Sequence, residues 1–454
     1  MPDTELVLAA FEEFTPNFVN HSWHLPRSVS TRFTELRFWQ ELVRELDAAG
    51  FDFLFLAEAL GYPMTADGSV PDAVIREAVQ MPVLDPVALI SGLAATVDRL
   101  GFVVTASTTS QVPYLHARTF TTLDHLTGGR IGWNIVTTDQ QNALTRLLGM
   151  DDVVPHGERY DRATEFVELV LELWEGAWED DAVVADTQER VYADPAKVHR
   201  IRHAGRYFSL DGYFPATPSP QRTPTLFQAG TSDRGKEFAA AYAECIFTSY
   251  RDTASAATHI GDLRARARSA GGRELVVLNG VSIVVGDTAE GAAAERAELD
   301  AAASRDAAAA LFMGWTGVDL TSHSHDTLLA DLDPQGSKTT FALWGDNPAT
   351  PTVGALLDQI TSESGGFKAT GTAEEVADQL EAIARDGDID GFLIECTYGG
   401  IETYRRFIDE VMPILRERGL LPAAPRGGTL RERLTAASGP RLGENHPAAR
   451  YRRG

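Results

Sequence analysis

Eight short apolar runs, each set off from the next by polar or amphipathic sequence, constrain this chain more than any other feature. They are "LVLAAF" (6–11), "FDFLFLAE" (51–58), "GFVVTAST" (101–108), "RIGWNIVTT" (130–138), "TLFQAGTS" (225–232), "ECIFTSY" (244–250), "VVLNGVSIVVG" (276–286) and "GFLIECTY" (391–398). Runs of this length, rich in β-branched and aromatic residues, read as buried strands, and neighbouring segments such as "RFWQELVRELDAAG" carry helical periodicity. Eight strands with helices between them predict an α/β fold, a single (β/α)8 TIM barrel spanning 1–454. The rhythm breaks twice, giving insertions after strands 4 and 7. The first, about 161–222, runs from a long amphipathic helix into Pro-containing polar sequence. The second, about 287–370, opens with one Ala-rich helix ("TAEGAAAERAELDAAASRDAAAALF") and is long enough to act as a lid. The polar tail, about 421–454, would either fray or wrap a neighbouring molecule.

Composition narrows the function classes. Lys plus Arg is 40 against 65 Asp plus Glu, a net charge of −25, which argues against a nucleic-acid groove and an anionic membrane surface. Cys245 and Cys396 both sit in apolar runs, so neither a disulfide framework nor a cysteine-rich metal site is expected. No basic leader and no stretch of 18 apolar residues is present, and a cytoplasmic enzyme is expected. No phosphate-binding P-loop, zinc-protease helix, dinucleotide fingerprint or serine nucleophile elbow can be found. "HSHD" (323–326) lacks helical ligand spacing and reads as a solvated loop, so no metal is expected.

In a barrel of this kind ligands bind where the strands end. Residues just past the strands here are unusually polar: Glu58, Ser107, Thr108, Asn134, Thr137, Thr138, Asp139, Gln228, Gly230, Thr231 and Ser232. That many hydrogen-bonding groups around one rim point to a polar ligand. In "QAGTSDRGKEF", Gly230 permits close backbone approach and Ser232 opens a helix whose free N–H groups suit a phosphate. The same residues also read as an ordinary Ser N-cap. His21, with His24, follows the first strand where an acid or base would fit, or serves structure alone.

The segments "STTSQVPYLHARTFTTLDHLTGGRIGWNIVTT", "HGERYDRATEFVELVLELWEGAWEDDA", "VHRIRHAGRYFSLDGYFPATPSPQRTPTLFQAGTSDRGKEFAAAYAECIF" and "ENHPAARYR" resemble the nitrilotriacetate monooxygenase component A family, bacterial-luciferase-like flavin-dependent monooxygenases. The resemblance covers about 6–452. It implies a two-component enzyme that takes reduced FMN from a separate NAD(P)H-dependent flavin reductase and oxygenates a small organic substrate with O2 through a flavin peroxide. A homodimer or homotetramer is expected. Matched position by position, Glu58, Ser107, Asn134, Thr137, Thr138 and Asp139 would contact the flavin. Tyr160, Ala229, Gly230, Thr231 and Ser232 would hold its phosphate, a hydroxyl and N–H set able to bind a dianion without Lys or Arg. His21, Tyr62 and Gln80 are the candidates beside the substrate.

Five positions depart from the family pattern. Glu58 stands where aspartate is usual. Thr15 and Phe18 replace the cysteine and histidine of the alkane-oxidising relatives, whose "REAVQ" (76–80) is nonetheless shared. Leu311 replaces a histidine and Gly366 a tryptophan. The rival readings are a deazaflavin-dependent oxidoreductase on the same barrel and a flavin-binding barrel without turnover.

Overall fold

The computed structural model describes residues 5–16, 21–65, 67–138, 141–149, 156–230, 232–332, 341, 351–363, 365–435 and 439–453. Its strands are β1 (Val7–Glu13), β2 (Phe53–Ala57), β3 (Gly101–Ser107), β4 (Ile131–Val136), β5 (Val183–Asp186), β6 (Val191–Ala193), β7 (Arg200–Ala204), β8 (Ser209–Tyr213), β9 (Thr225–Gln228), β10 (Cys245–Thr248), β11 (Val276–Val285), β12 (Phe367–Gly371) and β13 (Gly391–Glu395). The helices used below are α1 (Leu36–Ala49), α2 (Asp72–Arg76), α3 (Pro86–Ala94), α4 (Pro113–Thr127), α5 (Gln141–Leu148), α6 (His156–Gly176), α7 (Asp233–Tyr242), α8 (Thr253–Gly271), α9 (Ala289–Asp300), α10 (Arg305–Thr316), α11 (Val353–Glu363), α12 (Ala373–Gly387), α13 (Met412–Glu417) and α14 (Leu430–Leu434).

The expected barrel is present: β1, β2, β3, β4, β9, β10, β11 and β13 pair in parallel in that order, and β13 returns to β1 with Ala9 opposite Leu393 and Phe11 opposite Glu395. Alternation along each strand sorts its side chains. Val7, Ala9, Phe11, Phe53, Phe55, Val103, Phe227, Cys245, Leu278 and Leu393 fill the interior. Leu8, Leu54, Phe102, Trp133 and Ile135 point outward and pack in the larger core with the helices. By the same alternation Glu13, Thr105, Ser107, Asn134 and Glu395 face inward at the upper, carboxyl end of the strands.

Between β4 and β9 the long helix α6 packs against α4 and α7. It is therefore the fourth crossover helix of the ring, and the additional material is two antiparallel hairpins, β5–β6 and β7–β8. Between β11 and β13 the expected single Ala-rich helix is two, α9 and α10. Ser304 breaks it, its hydroxyl accepting the Ala307 N–H at 3.0 Å as an N-cap. The same region ends in a ninth strand, β12, paired with the upper half of β11.

The described part of the tail packs on its own barrel and closes its lower end. Leu430 and Leu434 on α14 join the interior cluster, and Gly101 and Gly132 leave the space, since a Cβ at Gly101 would lie 2.7 Å from Leu430 Cδ1. Gly129, at φ 85°, ends the turn after α4 and passes so close to Thr429 that any side chain there would collide with it. Among the described residues no helix is long and apolar enough to cross a membrane.

Candidate active site

A cleft of about 260 Å³ opens at the upper end of the barrel, lined by Glu58, Ala59, Gln80, Ile135, Val136, Thr137, Thr138, Tyr160, Gln228, Ala229, Gly230 and Trp315. Eight of the residues singled out from the sequence thus meet in one place although they come from five separate segments. A larger cavity of about 800 Å³ lies at the other end, beside the tail. Its lining is held in ion pairs, Arg222 and Arg441 with Asp180 and Arg452 with Glu175, which suits a seal better than a site.

The hydroxyls that end β4 complete a small network. Thr138 takes the left-handed conformation, φ 51°, which turns its Oγ1 to 2.5 Å from Ser107 Oγ. Thr109 Oγ1 donates to the Thr137 carbonyl at 3.0 Å, and Arg159 Nη1 donates to that of Thr138 at 2.6 Å. Asn134 lies deeper: its Nδ2 donates to Thr105 Oγ1 at 2.9 Å, while its buried Oδ1 has no partner among the described residues. Asp139 and Thr231 lie outside the described residues, as does Phe18.

At the other side of the cleft Tyr160, from the first turns of α6, reaches the N-terminus of α7. A Cβ at Gly230 would stand 3.0 Å from Tyr160 Oη and one at Gly235 2.8 Å, so both glycines are needed for the phenol to lie there. Ser232 caps α7 by accepting the Gly235 N–H at 3.1 Å. A hydroxyl, a cap and helix N–H groups converge as a phosphate cradle requires. Arg159, buried and bonded to the Thr138 carbonyl, is a cation at the end of β4 that the sequence reading passed over.

Above the cleft, Val74 and Val79 pack with Ala307, Ala310 and Leu311 of α10, with Met81 and Trp315 at the edge. Leu311 is therefore a packing residue of this cover. Thr15 holds the same loop, donating to the Pro82 carbonyl at 2.7 Å. Gly366 admits no side chain, because a Cβ would lie 2.0 Å from the Gly280 carbonyl oxygen. Three of the substituted positions thus serve local packing. Trp315 was missed because only folding brings α10 over β4.

The candidates beside the substrate separate. Gln80, with φ 54°, lines the cleft. His21, with φ 47°, is buried and neither ring nitrogen has a partner among the described residues; burial, ahead of the neighbouring charges, lowers it to about 4 and keeps it neutral. Tyr62 is half-buried outside the lining. Positive φ at non-glycine residues clusters here, with Ala78 as a fourth case beside His21, Gln80 and Thr138. Strain of that kind collects at functional sites.

Besides Glu58, two buried carboxyl groups that the sequence reading missed, Glu13 and Glu395, stand at this end of the barrel. Burial and then the Asp85 charge raise Glu58 to about 7. Behind the cleft, Glu13 is raised to about 8 and Glu395 to about 7, burial being the largest cause for both. Strand alternation in "VLAAFEE" and "GFLIE" already placed both side chains inside, and that signal was available.

The luciferase-like monooxygenase family model matches residues 16–390. The chain belongs to the luciferase-like monooxygenase family. This family member is an enzyme, a flavin-dependent monooxygenase. It is 38% identical over 450 residues to the long-chain alkane monooxygenase of Geobacillus thermodenitrificans (strain NG80-2), covering 98% of this chain and 97% of that one. It is 37% identical over 437 residues to the dimethyl-sulfide monooxygenase of Hyphomicrobium sulfonivorans, covering 95% and 90%. A crystal structure of riboflavin lyase with modified FMN and substrate riboflavin superposes with a TM-score of 0.93 at 38% identity, covering 99% of this chain and 100% of that one.

Proposed function

We propose that this luciferase-like monooxygenase is the oxygenating component of a two-component system, taking reduced FMN from a separate NAD(P)H-dependent flavin reductase and using O2 to oxygenate a small organic substrate. The observation that carries the flavin assignment is the cradle at α7, where Gly230 and Gly235 leave room for the Tyr160 hydroxyl. The similar structure solved with modified FMN supports it. Relatives named for their action on long-chain alkanes, dimethyl sulfide and nitrilotriacetate all match nearly the whole chain, so kinship does not choose the substrate among them.

Reduced FMN, when bound, supplies the electrons that activate O2. Tyr160, Ser232 and the α7 N–H groups would hold its phosphate, with Ala229, Gly230 and Thr231 forming the loop around it. Glu58, Ser107, Asn134, Thr137, Thr138 and Asp139 would orient the ring. The small core of α10 and the α2 loop would keep water out, with Gln80 as the polar group facing the substrate and His21 and Tyr62 as further candidates.

Photoreduced FMN titrated anaerobically into the protein is expected to bind saturably. Tyr160→Phe should weaken FMN roughly tenfold or more, the contribution of a hydrogen bond to a charged group, and leave riboflavin, which has no phosphate, unchanged. Mixing with O2 should give a flavin absorbance transient that outlasts that of free flavin. Binding without a transient would point to a flavin protein that does not oxygenate, and no binding would remove the reading.

A further inference from the structure

The first turns of α6 carry more than Tyr160. Arg159 and Arg162, three residues apart, share one side of the helix, and both reach past the carboxyl ends of barrel strands. Arg159 Nη1 donates to the Thr138 carbonyl beyond β4 at 2.6 Å. Arg162 Nη1 donates to the carbonyls of Thr108 and Thr109 beyond β3, at 2.5 and 3.2 Å. Those two strand ends are bonded to each other. The Thr109 N–H donates to Ser107 Oγ at 3.1 Å, Thr109 Oγ1 donates to the Thr137 carbonyl at 3.0 Å, and Thr138 Oγ1 meets Ser107 Oγ at 2.5 Å. Hydrogen bonds thus run in a closed circuit from α6 to the end of β3, across to the end of β4 and back to α6.

Arg162 is also held from behind. Its guanidinium lies over the ring of Phe208, 4.8 Å from the ring centre, and Phe208 stands in the turn of the β7–β8 hairpin. That turn is fastened to α6 by Glu165, whose carboxylate accepts the N–H groups of Arg206, Tyr207 and Phe208 at 2.8 to 3.1 Å. A planar guanidinium can stack on a ring with its face while its edge binds carbonyl oxygens, which an ammonium cannot do. Arg162 itself does not line the cleft.

We infer that Arg162 is a positioning residue for the cofactor: braced on the β7–β8 hairpin, it fixes α6 against the ends of β3 and β4. The Tyr160 hydroxyl and the hydroxyls of Ser107 and Thr138 are thereby kept at one spacing. The inference rests on the reading of the cleft as an FMN site, with the phosphate at Tyr160 and the ring at the strand ends. A ligand gripped at two points gains from the second grip only when the two stand at the separation the ligand spans. Arg162 acts on that separation and touches neither end of the ligand. It also gives part of the first insertion a task in the site.

Anaerobic titration of the full chain with photoreduced FMN, and separately with photoreduced riboflavin, reads both grips and the ring grip alone. Arg162→Met keeps the reach of the side chain and removes its donors; it should weaken FMN roughly tenfold and riboflavin less than about twofold. Arg162→Lys, which retains a cationic donor for the carbonyls, should recover most of the loss. Phe208→Leu leaves every hydrogen bond in place and removes only the stacking, and should lower the preference for FMN over riboflavin roughly threefold. With Tyr160→Phe already present the phosphate has lost its hydroxyl, so adding Arg162→Met should cost FMN little more. Full additivity of those two substitutions, or an equal loss of FMN and riboflavin, overturns the inference, because a loosened fold acts on both ligands and in both backgrounds. An unchanged preference for FMN in Arg162→Met and Phe208→Leu overturns it too, with the flavin reading intact. A wild type that holds riboflavin as tightly as FMN removes the phosphate reading of Tyr160, and the positioning role falls with it.

Discussion

At the lower end of the barrel Arg431 is fully buried, and every direction of its guanidinium is answered: Glu244 at 2.6 and 2.9 Å and the carbonyls of Thr223, Pro224 and Pro440 at 2.6 to 3.0 Å. At the upper end Glu13, Asn134 and Glu395 are as deeply buried, and each keeps one oxygen without a partner among the described residues. Burial alone would raise the Glu244 carboxyl, but the Arg431 charge offsets that and holds it below its ordinary value. Glu395 has no such contact cation; the Gly366 N–H at 2.9 Å and the more distant Arg251, Arg296 and Lys368 charges leave it raised to about 7. Arg431 is thus answered in full at the closed end, although Arg433 Nη2 on the same helix has no partner among the described residues, whereas at the ligand-facing end it is carboxyl and amide oxygens that are left incomplete.

Breaking the lower end should have the largest effect. Arg431→Ala leaves Glu244 buried without its partner and should cost about 3 to 5 kcal/mol. Chemical denaturation would measure it. A change below about 1 kcal/mol would mean that the tail is not the seal described above.

The upper end should respond to pH instead. Glu395 binds its proton more tightly folded than unfolded, with 4.5 as its ordinary value and about 7 in the fold. Between those values the native state holds more protons, so stability declines as pH rises. The stabilisation is complete below pH 4.5 and lost by about pH 7, a total of about 3 kcal/mol. Glu13 extends the decline to about pH 8. Glu395→Gln resembles the protonated form, so it should match the wild type in acid and exceed it above neutrality. Equal pH profiles for the two proteins would place the Glu395 carboxyl in wetter surroundings than the structure shows.

Which of these features were legible beforehand follows from where their information lies. The barrel was readable because each strand announces itself within a few residues, and the rim hydroxyls Thr137 and Thr138 follow from knowing where β4 stops. The lower seal was hidden because Leu430 and Leu434 sit in "TLRERLTAAS", where charge masks two leucines one helical turn apart. The Thr429–Glu432 capping box was the available sign of a helix there. Trp315 was out of reach, since nothing local ties α10 to β4. The break at Ser304 was passed over because alanine on both sides suggests one continuous helix. Gly366 was seen as a lost aromatic, but only the approach of the Gly280 carbonyl shows why no side chain belongs there.

The smallest effect separates the two ends most finely, because each has a helix capped by a hydroxyl. Thr429 accepts from the Glu432 backbone, and Glu432 answers through its side chain to the Thr429 N–H at 2.9 Å, so that N-terminus is closed upon itself. Ser232 makes the same first contact, with the Gly235 N–H, but a glycine at that position has no side chain to return it. The Ser232 N–H therefore lacks the return contact that the Thr429 N–H has, and it lies on the side of α7 that faces Tyr160. Removing either cap should cost about 1 kcal/mol in stability. Ser232→Ala should in addition weaken FMN several-fold and be partly rescued by it in thermal melts, because bound ligand stabilises the native state by mass action. Thr429→Ala should melt lower by a similar amount with FMN affinity unchanged. If both variants lose FMN equally, the capping difference follows from global stability, and the α7 cradle has no special part in holding the phosphate.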